Sequence, residues 1–199
     1  YPGFIAGVYA TLGDDVRAVA LAQALLGALS AAAVVLLAAQ VAAPRASLLA
    51  GLLLAIWPTA VVYTPVLVTE NLATPLLLLS LVCVAWAERV RRGRAIALVV
   101  AAGALFGLLL LTRPSNCFFA PAIVILLCYD WAQRKWRLWF PVVFVAATLV
   151  AWFVLSWFYG GLFETFWNGQ TPGKRMMGLR VVSITGQPIN ASEAVLRNV

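Results

Sequence analysis

From Ala46 to Ala87 the chain carries one ionised side chain, Glu70, with long apolar runs on either side of it. That lone carboxylate constrains the fold more than any other residue. A charge at the centre of a bilayer is costly, and an ionisable residue within a membrane marks a polar cavity or a partner. Glu70 is therefore expected at a membrane surface or in a polar cavity at membrane depth. The two runs then form a helical hairpin, and the segment Tyr63-Thr64-Pro65-Val66-Leu67-Val68-Thr69 before Glu70 supplies its turn.

Composition supports a membrane setting. Apolar residues make up 64% of the chain, charged residues 11%, and the mean hydropathy is +0.97. A soluble domain is about 45–50% apolar and about 25% charged. The net charge of +7 comes from 14 basic and 7 acidic residues. The basic residues fall in short clusters between apolar runs, which is the positive-inside pattern of membrane helices and argues against nucleic acid as a partner. The chain has no histidine, so histidine-dependent and Cys–His catalysis are excluded. Cys83, Cys117 and Cys128 lie in apolar runs without a C-x-x-C pair and read as small packing residues.

The runs predict an all-α fold, a polytopic transmembrane helix bundle of five to six spans with a short mixed C-terminal juxtamembrane segment. An apolar segment up to Leu12 is too short to cross, since about 20 apolar residues are needed. Spans are expected near residues 18–41, 46–62, 71–87, 95–111 and 138–159. Pro58 kinks or ends the second span, and Pro75 lies in the first turns of the third. The small residues of the first span, Gly27, Ala28, Ser30 and Ala31 to Ala33, suit close helix packing. The fifth run, residues 117–129, is about 20 Å long as a helix, short of a hydrocarbon core of about 30 Å. It spans with local thinning or is re-entrant.

The loop Glu88-Arg89-Val90-Arg91-Arg92-Gly93-Arg94 carries four arginines and is expected on the cytoplasmic side. Counting spans from it puts Asp14, Asp15, Glu70 and Arg113 at the outer face and Arg45 inside. Six spans would also put Lys174, Arg175 and Arg180 outside, against the positive-inside rule. Either the fifth run does not span, or two unlike pieces meet near the sixth.

The order and spacing of several short motifs agree with one family. These are Tyr1-Pro2-Gly3-Phe4, Leu12-Gly13-Asp14-Asp15, the small-residue first span, Thr69-Glu70-Asn71 after Pro65, and Leu111-Thr112-Arg113-Pro114. Through them residues 1–155 resemble GT-C type membrane glycosyltransferases, the class of the protein mannosyltransferases and the aminoarabinose transferase. A second stretch, Glu164 with Trp167-Asn168-Gly169-Gln170-Thr171-Pro172-Gly173-Lys174-Arg175 and Gly178-Leu179-Arg180, resembles the later part of an RDD family membrane domain over residues 156–199.

The first resemblance implies transfer of a sugar from a polyprenyl-phosphate donor to an acceptor at the outer face, in a bacterial inner membrane. The sequence does not identify the acceptor. In that family the base is usually an acidic residue in a first outer loop, which would lie upstream of Tyr1. The chain starts at Tyr1 and ends at Val199 without a tail, and is expected to be a fragment at both ends. Arg113 is a candidate for the lipid phosphate, which its planar fork suits, or else an interfacial anchor or partner for Glu70. Glu70 orients substrate or pairs with Arg113. Asp14 and Asp15 are candidates to ligate a divalent metal ion or to cap the following helix. Gly169, Gln170, Gly173, Lys174 and Arg175 lack the phosphate-loop spacing and read as a juxtamembrane turn near anionic lipid. The second resemblance leaves two alternatives open. One is an RDD-type transport or accessory protein without catalysis, and the other is a fusion of two gene fragments without an evolved function.

Overall fold

A computed structural model describes residues 1–13, 15–130, 135–136 and 138–166 of the chain. The helices are α1 (Pro2–Leu12), α2 (Val16–Ala38), α3 (Pro44–Ala55), α4 (Pro58–Tyr63), α5 (Glu70–Ala87), α6 (Arg92–Thr112), α7 (Ala120–Cys128) and α8 (Trp139–Phe166), with a 3₁₀ turn over Pro114–Phe119. After α7, Tyr129–Asp130 pairs antiparallel with Lys135–Trp136. Among the described residues, four segments are long and apolar enough to cross a membrane: α2, α5, α6 and Trp139–Ser156 of α8. The described residues form the expected all-α, polytopic helical fold, with four such spans and shorter apolar helices beside them.

The chain divides into two compact units, one of which is Ala20–Ala151. Within it, α5 and α6 form the central antiparallel hairpin. A buried hydrogen bond crosses them, from Ser80 Oγ to the carbonyl of Ala102 at 3.0 Å. Small side chains, Ala73, Ala87, Ala95 and Ala102, are buried along the hairpin and let the backbones approach. Phe106 of α6 and Phe144 of α8 pack with ring centroids 5.6 Å apart. Beside them Thr148 Oγ1 donates to the carbonyl of Gly103 at 3.1 Å. A Cβ at Gly103 would lie 2.6 Å from the carbonyl oxygen of Phe144 and 2.7 Å from Cβ of Ala147, so only glycine permits this approach. Lipid removes the hydrophobic drive between helices, and close packing with interhelical hydrogen bonds takes its place. On the outside Leu21, Leu25, Leu48, Leu49, Leu52 and Leu53 are exposed, a surface suited to lipid.

The other described residues, 1–13, 15–19 and 152–166, fall in the second unit. There α1 starts with a proline in its first turn and ends at Gly13, whose φ of 88° lies in the region glycine tolerates. The rings of Tyr1 and Phe4 lie 6.2 Å apart at its start.

Three expectations are refined. The second span is not continuous, because α3 stops at Ala55 and α4 starts at Pro58. Trp57 is extended (φ −60°, ψ 121°), as a residue before proline prefers. The 12 residues of α3 reach about 18 Å. The fifth run starts as a 3₁₀ turn after Arg113 and continues as α7 to the opposite end of the hairpin, where Leu126 lies near Glu88. At about 2.0 Å per 3₁₀ residue and about 1.5 Å per α residue it covers roughly 25 Å. In α2, Gly27 faces open space, and the close approach is made instead by Ala31 and Val35 to Gly51 of α3. A Cβ on Gly51 would collide with Val35 Cγ2 and come within 2.9 Å of the Ala31 carbonyl oxygen.

Candidate functional site

Glu70 stands in the first turn of α5. Free N–H groups at a helix start carry partial positive charge and favour a carboxylate there. Arg113 is the residue that ends α6, with extended backbone (φ −151°, ψ 92°) ahead of Pro114. Proline disfavours helical backbone at the residue before it, which stops α6 at this point. A cation there complements the negative end of α6. Since α5 and α6 are antiparallel, the start of one and the end of the other share one end of the hairpin.

The two side chains meet there. Arg113 Nη1 donates to Glu70 Oε1 in an ion pair. Thr69 Oγ1 donates to the other carboxylate oxygen at 3.2 Å, and Arg113 Nε donates to Ser115 Oγ at 3.3 Å. Both charged side chains are about half exposed, at 43% for Arg113 and 47% for Glu70. Among the described residues no acceptor engages Arg113 Nη2.

The turn before Glu70 is pinned by a residue that the sequence did not single out for a role of its own. Asn71 Nδ2 donates to the carbonyls of Tyr63 at 2.8 Å and Val66 at 3.0 Å. An amide that satisfies two carbonyls of a non-helical segment fixes that segment against α5. The available signal was its position, directly after the only carboxylate in two apolar runs. Thr64 Oγ1, bonded to Ala60 O at 2.8 Å, secures the end of α4.

The other candidate residues do not join this cluster. Asp15 Oδ1 accepts from the backbone N–H of Arg17 at 2.8 Å, which is the N-capping geometry for α2. Asp14 lies outside the described residues. Among the described residues no group of three or more His, Cys, Asp or Glu comes together. Glu164 lies in the backbone of α8, and Gly169, Gln170, Gly173, Lys174 and Arg175 lie outside the described residues. Cys83 and Cys128 are half-buried and Cys117 is exposed, all as free thiols.

Chemically, the cluster offers a fixed cation at a helix end, a carboxylate that orients it, and a pinned loop beside it. Such a guanidinium can take up an anionic oxygen without rearranging the backbone. In comparisons with known proteins, the family described as dolichyl-phosphate-mannose-protein mannosyltransferase matches residues 1–157. Neither a curated protein nor a solved structure matches the chain. The segment that resembles an RDD domain falls almost wholly beyond that match.

Proposed function

The chain belongs to the dolichyl-phosphate-mannose-protein mannosyltransferase family, and from that premise we propose that the Glu70–Arg113 end of the α5–α6 hairpin serves sugar transfer from a polyprenyl-phosphate donor. The observation that carries this reading is the half-exposed Arg113, which Glu70 holds and whose Nη2 meets no acceptor among the described residues.

In such a transfer the acceptor hydroxyl attacks the anomeric carbon while the bond from that carbon to the donor's phosphate oxygen breaks. The phosphate departs with an additional negative charge, and the hydroxyl proton passes to a base. A fixed cation beside the leaving oxygen lowers the barrier because its attraction grows as that charge develops. Arg113 takes this role, donating from Nη2 to a phosphate oxygen. Glu70 is a positioning residue. Its carboxylate holds Nη1, and Ser115 takes Nε, so the guanidinium plane is set before substrate arrives. Asn71 keeps the Tyr63–Thr69 segment in place beside it.

The test is donor binding and sugar transfer by Arg113→Ala, Arg113→Lys and Glu70→Gln variants of the full chain. Arg113→Ala is expected to lose both, and Arg113→Lys to recover only part, since an ammonium is a point charge and lacks the fork. Glu70→Gln is expected to weaken turnover more than donor affinity. Unchanged binding and turnover in Arg113→Ala would leave the pair as a clamp between two helix ends.

A further inference from the structure

At the opposite end of α5 lies a cavity of about 450 Å³, bounded by α2, α5 and α7. Its walls are apolar, with Leu37 from the end of α2, Val41 from the turn after it, Leu81 and Val84 from α5, and Leu126 from α7. Its mouth is polar, with Gln40, Glu88 and Arg89. Glu70 and Glu88 are separated by the whole of α5, about 27 Å at 1.5 Å per residue, so the cavity and the ion pair sit at opposite faces of the bundle.

We infer that this cavity binds an anionic phospholipid of that leaflet, of the phosphatidylglycerol type. Two observations converge on this ligand. The apolar walls match an acyl chain, and the cavity lies at the end of α5, a helix long and apolar enough to cross a membrane, where headgroups are expected. Arg89, exposed and without an ion pair among the described residues, stands at the mouth next to Arg91, Arg92 and Arg94. Basic pockets between spanning helices select lipid phosphates. Gln40 Nε2 donates to the carbonyl of Leu36 at 2.9 Å, which holds that amide against α2 at the mouth. The headgroup phosphate accepts from Arg89. A choline headgroup presents a cation to this arginine-rich mouth, whereas a glycerol headgroup leaves the lipid with a net negative charge.

Native mass spectrometry of the full chain in detergent, titrated with dioleoyl phosphatidylglycerol and with dioleoyl phosphatidylcholine, tests this directly. The expected result is preferential retention of phosphatidylglycerol. Arg89→Gln should weaken that retention by about tenfold, the effect of one lost charge-assisted hydrogen bond. Arg94→Gln, outside the lining, should leave it within about twofold, as a screened surface charge does. Ala85→Phe, which fills the cavity, should displace the lipid without touching a charge, with helical content followed by circular dichroism. Equal retention of the two lipids, equal effects of Arg89→Gln and Arg94→Gln, or full retention by a folded Ala85→Phe would each overturn the assignment.

Discussion

Replacing Gly103 by alanine is the sharpest probe of how α6 and α8 are held. The added Cβ would lie 2.6 Å from the Phe144 carbonyl oxygen, where ordinary contact begins at 3.4 Å, so the helices must part by roughly 0.8 Å at that point. The obstacle is backbone and a methyl group, and neither can swing away. Overpacking of this kind costs about 1–3 kcal/mol. Separation also strains the Thr148–Gly103 hydrogen bond, a class of interaction worth about 0.6 kcal/mol between membrane helices. Against this, alanine is favoured over glycine in a helix by about 0.5–1 kcal/mol. The net expectation is a loss of about 1–2 kcal/mol, or roughly 3–6 °C in melting temperature for a chain of this size. The assay is thermal unfolding of the purified protein in detergent, followed by the monodisperse fraction on size exclusion. Gly27→Ala is the internal control, because nothing lies within 4 Å of a Cβ there. It should keep the helix-propensity gain and raise the melting temperature slightly. If Gly103→Ala is as stable as Gly27→Ala, the close approach of α6 and α8 is not made as described.

Other variants test the site and the caps. A double-mutant cycle of Glu70→Gln and Arg113→Gln should show a favourable coupling below about 1 kcal/mol, as half-exposed pairs do, that shrinks as salt rises. A coupling indifferent to salt would contradict the exposure seen for both side chains. Asn71→Leu leaves the carbonyls of Tyr63 and Val66 without their donor and should lower stability by about 1–2 kcal/mol, with faster proteolysis between Tyr63 and Thr69. Unchanged proteolysis there would mean that the segment is held by something else. Asp15→Ala removes the cap of α2 and should cost about 1 kcal/mol, with Asp15→Asn nearly neutral. If asparagine fails to substitute, capping is not the role of Asp15.

Much of this was legible in the sequence because charge is scarce in an apolar chain. Glu70 is the only carboxylate in two runs, and Arg113 closes another run just before a proline, so both had to lie at helix ends. Their meeting followed once α5 and α6 were read as antiparallel. Proline also marked the break before Pro58, although sequence left a kink and a stop equally open. The extended Trp57 backbone decides for a stop. Packing was far less legible. Gly27, Gly51 and Gly103 look alike as letters, yet one faces open space and two face neighbouring backbone. Which glycine carries a contact depends on helix rotation, and helices that are apolar all round encode rotation weakly. Asn71 was hidden for a related reason. Its partners are backbone carbonyls, which have no signature in a sequence.

The most direct test of the functional account is the affinity of the full chain for a polyprenyl phosphate, measured for the unsubstituted protein and for Arg113→Ala in the same detergent. The account predicts a loss of about tenfold or more in Arg113→Ala, the scale of one charge-assisted phosphate contact, with incomplete recovery in Arg113→Lys. Equal affinity for the two proteins would contradict it, and would assign Arg113 to holding the end of the hairpin alone.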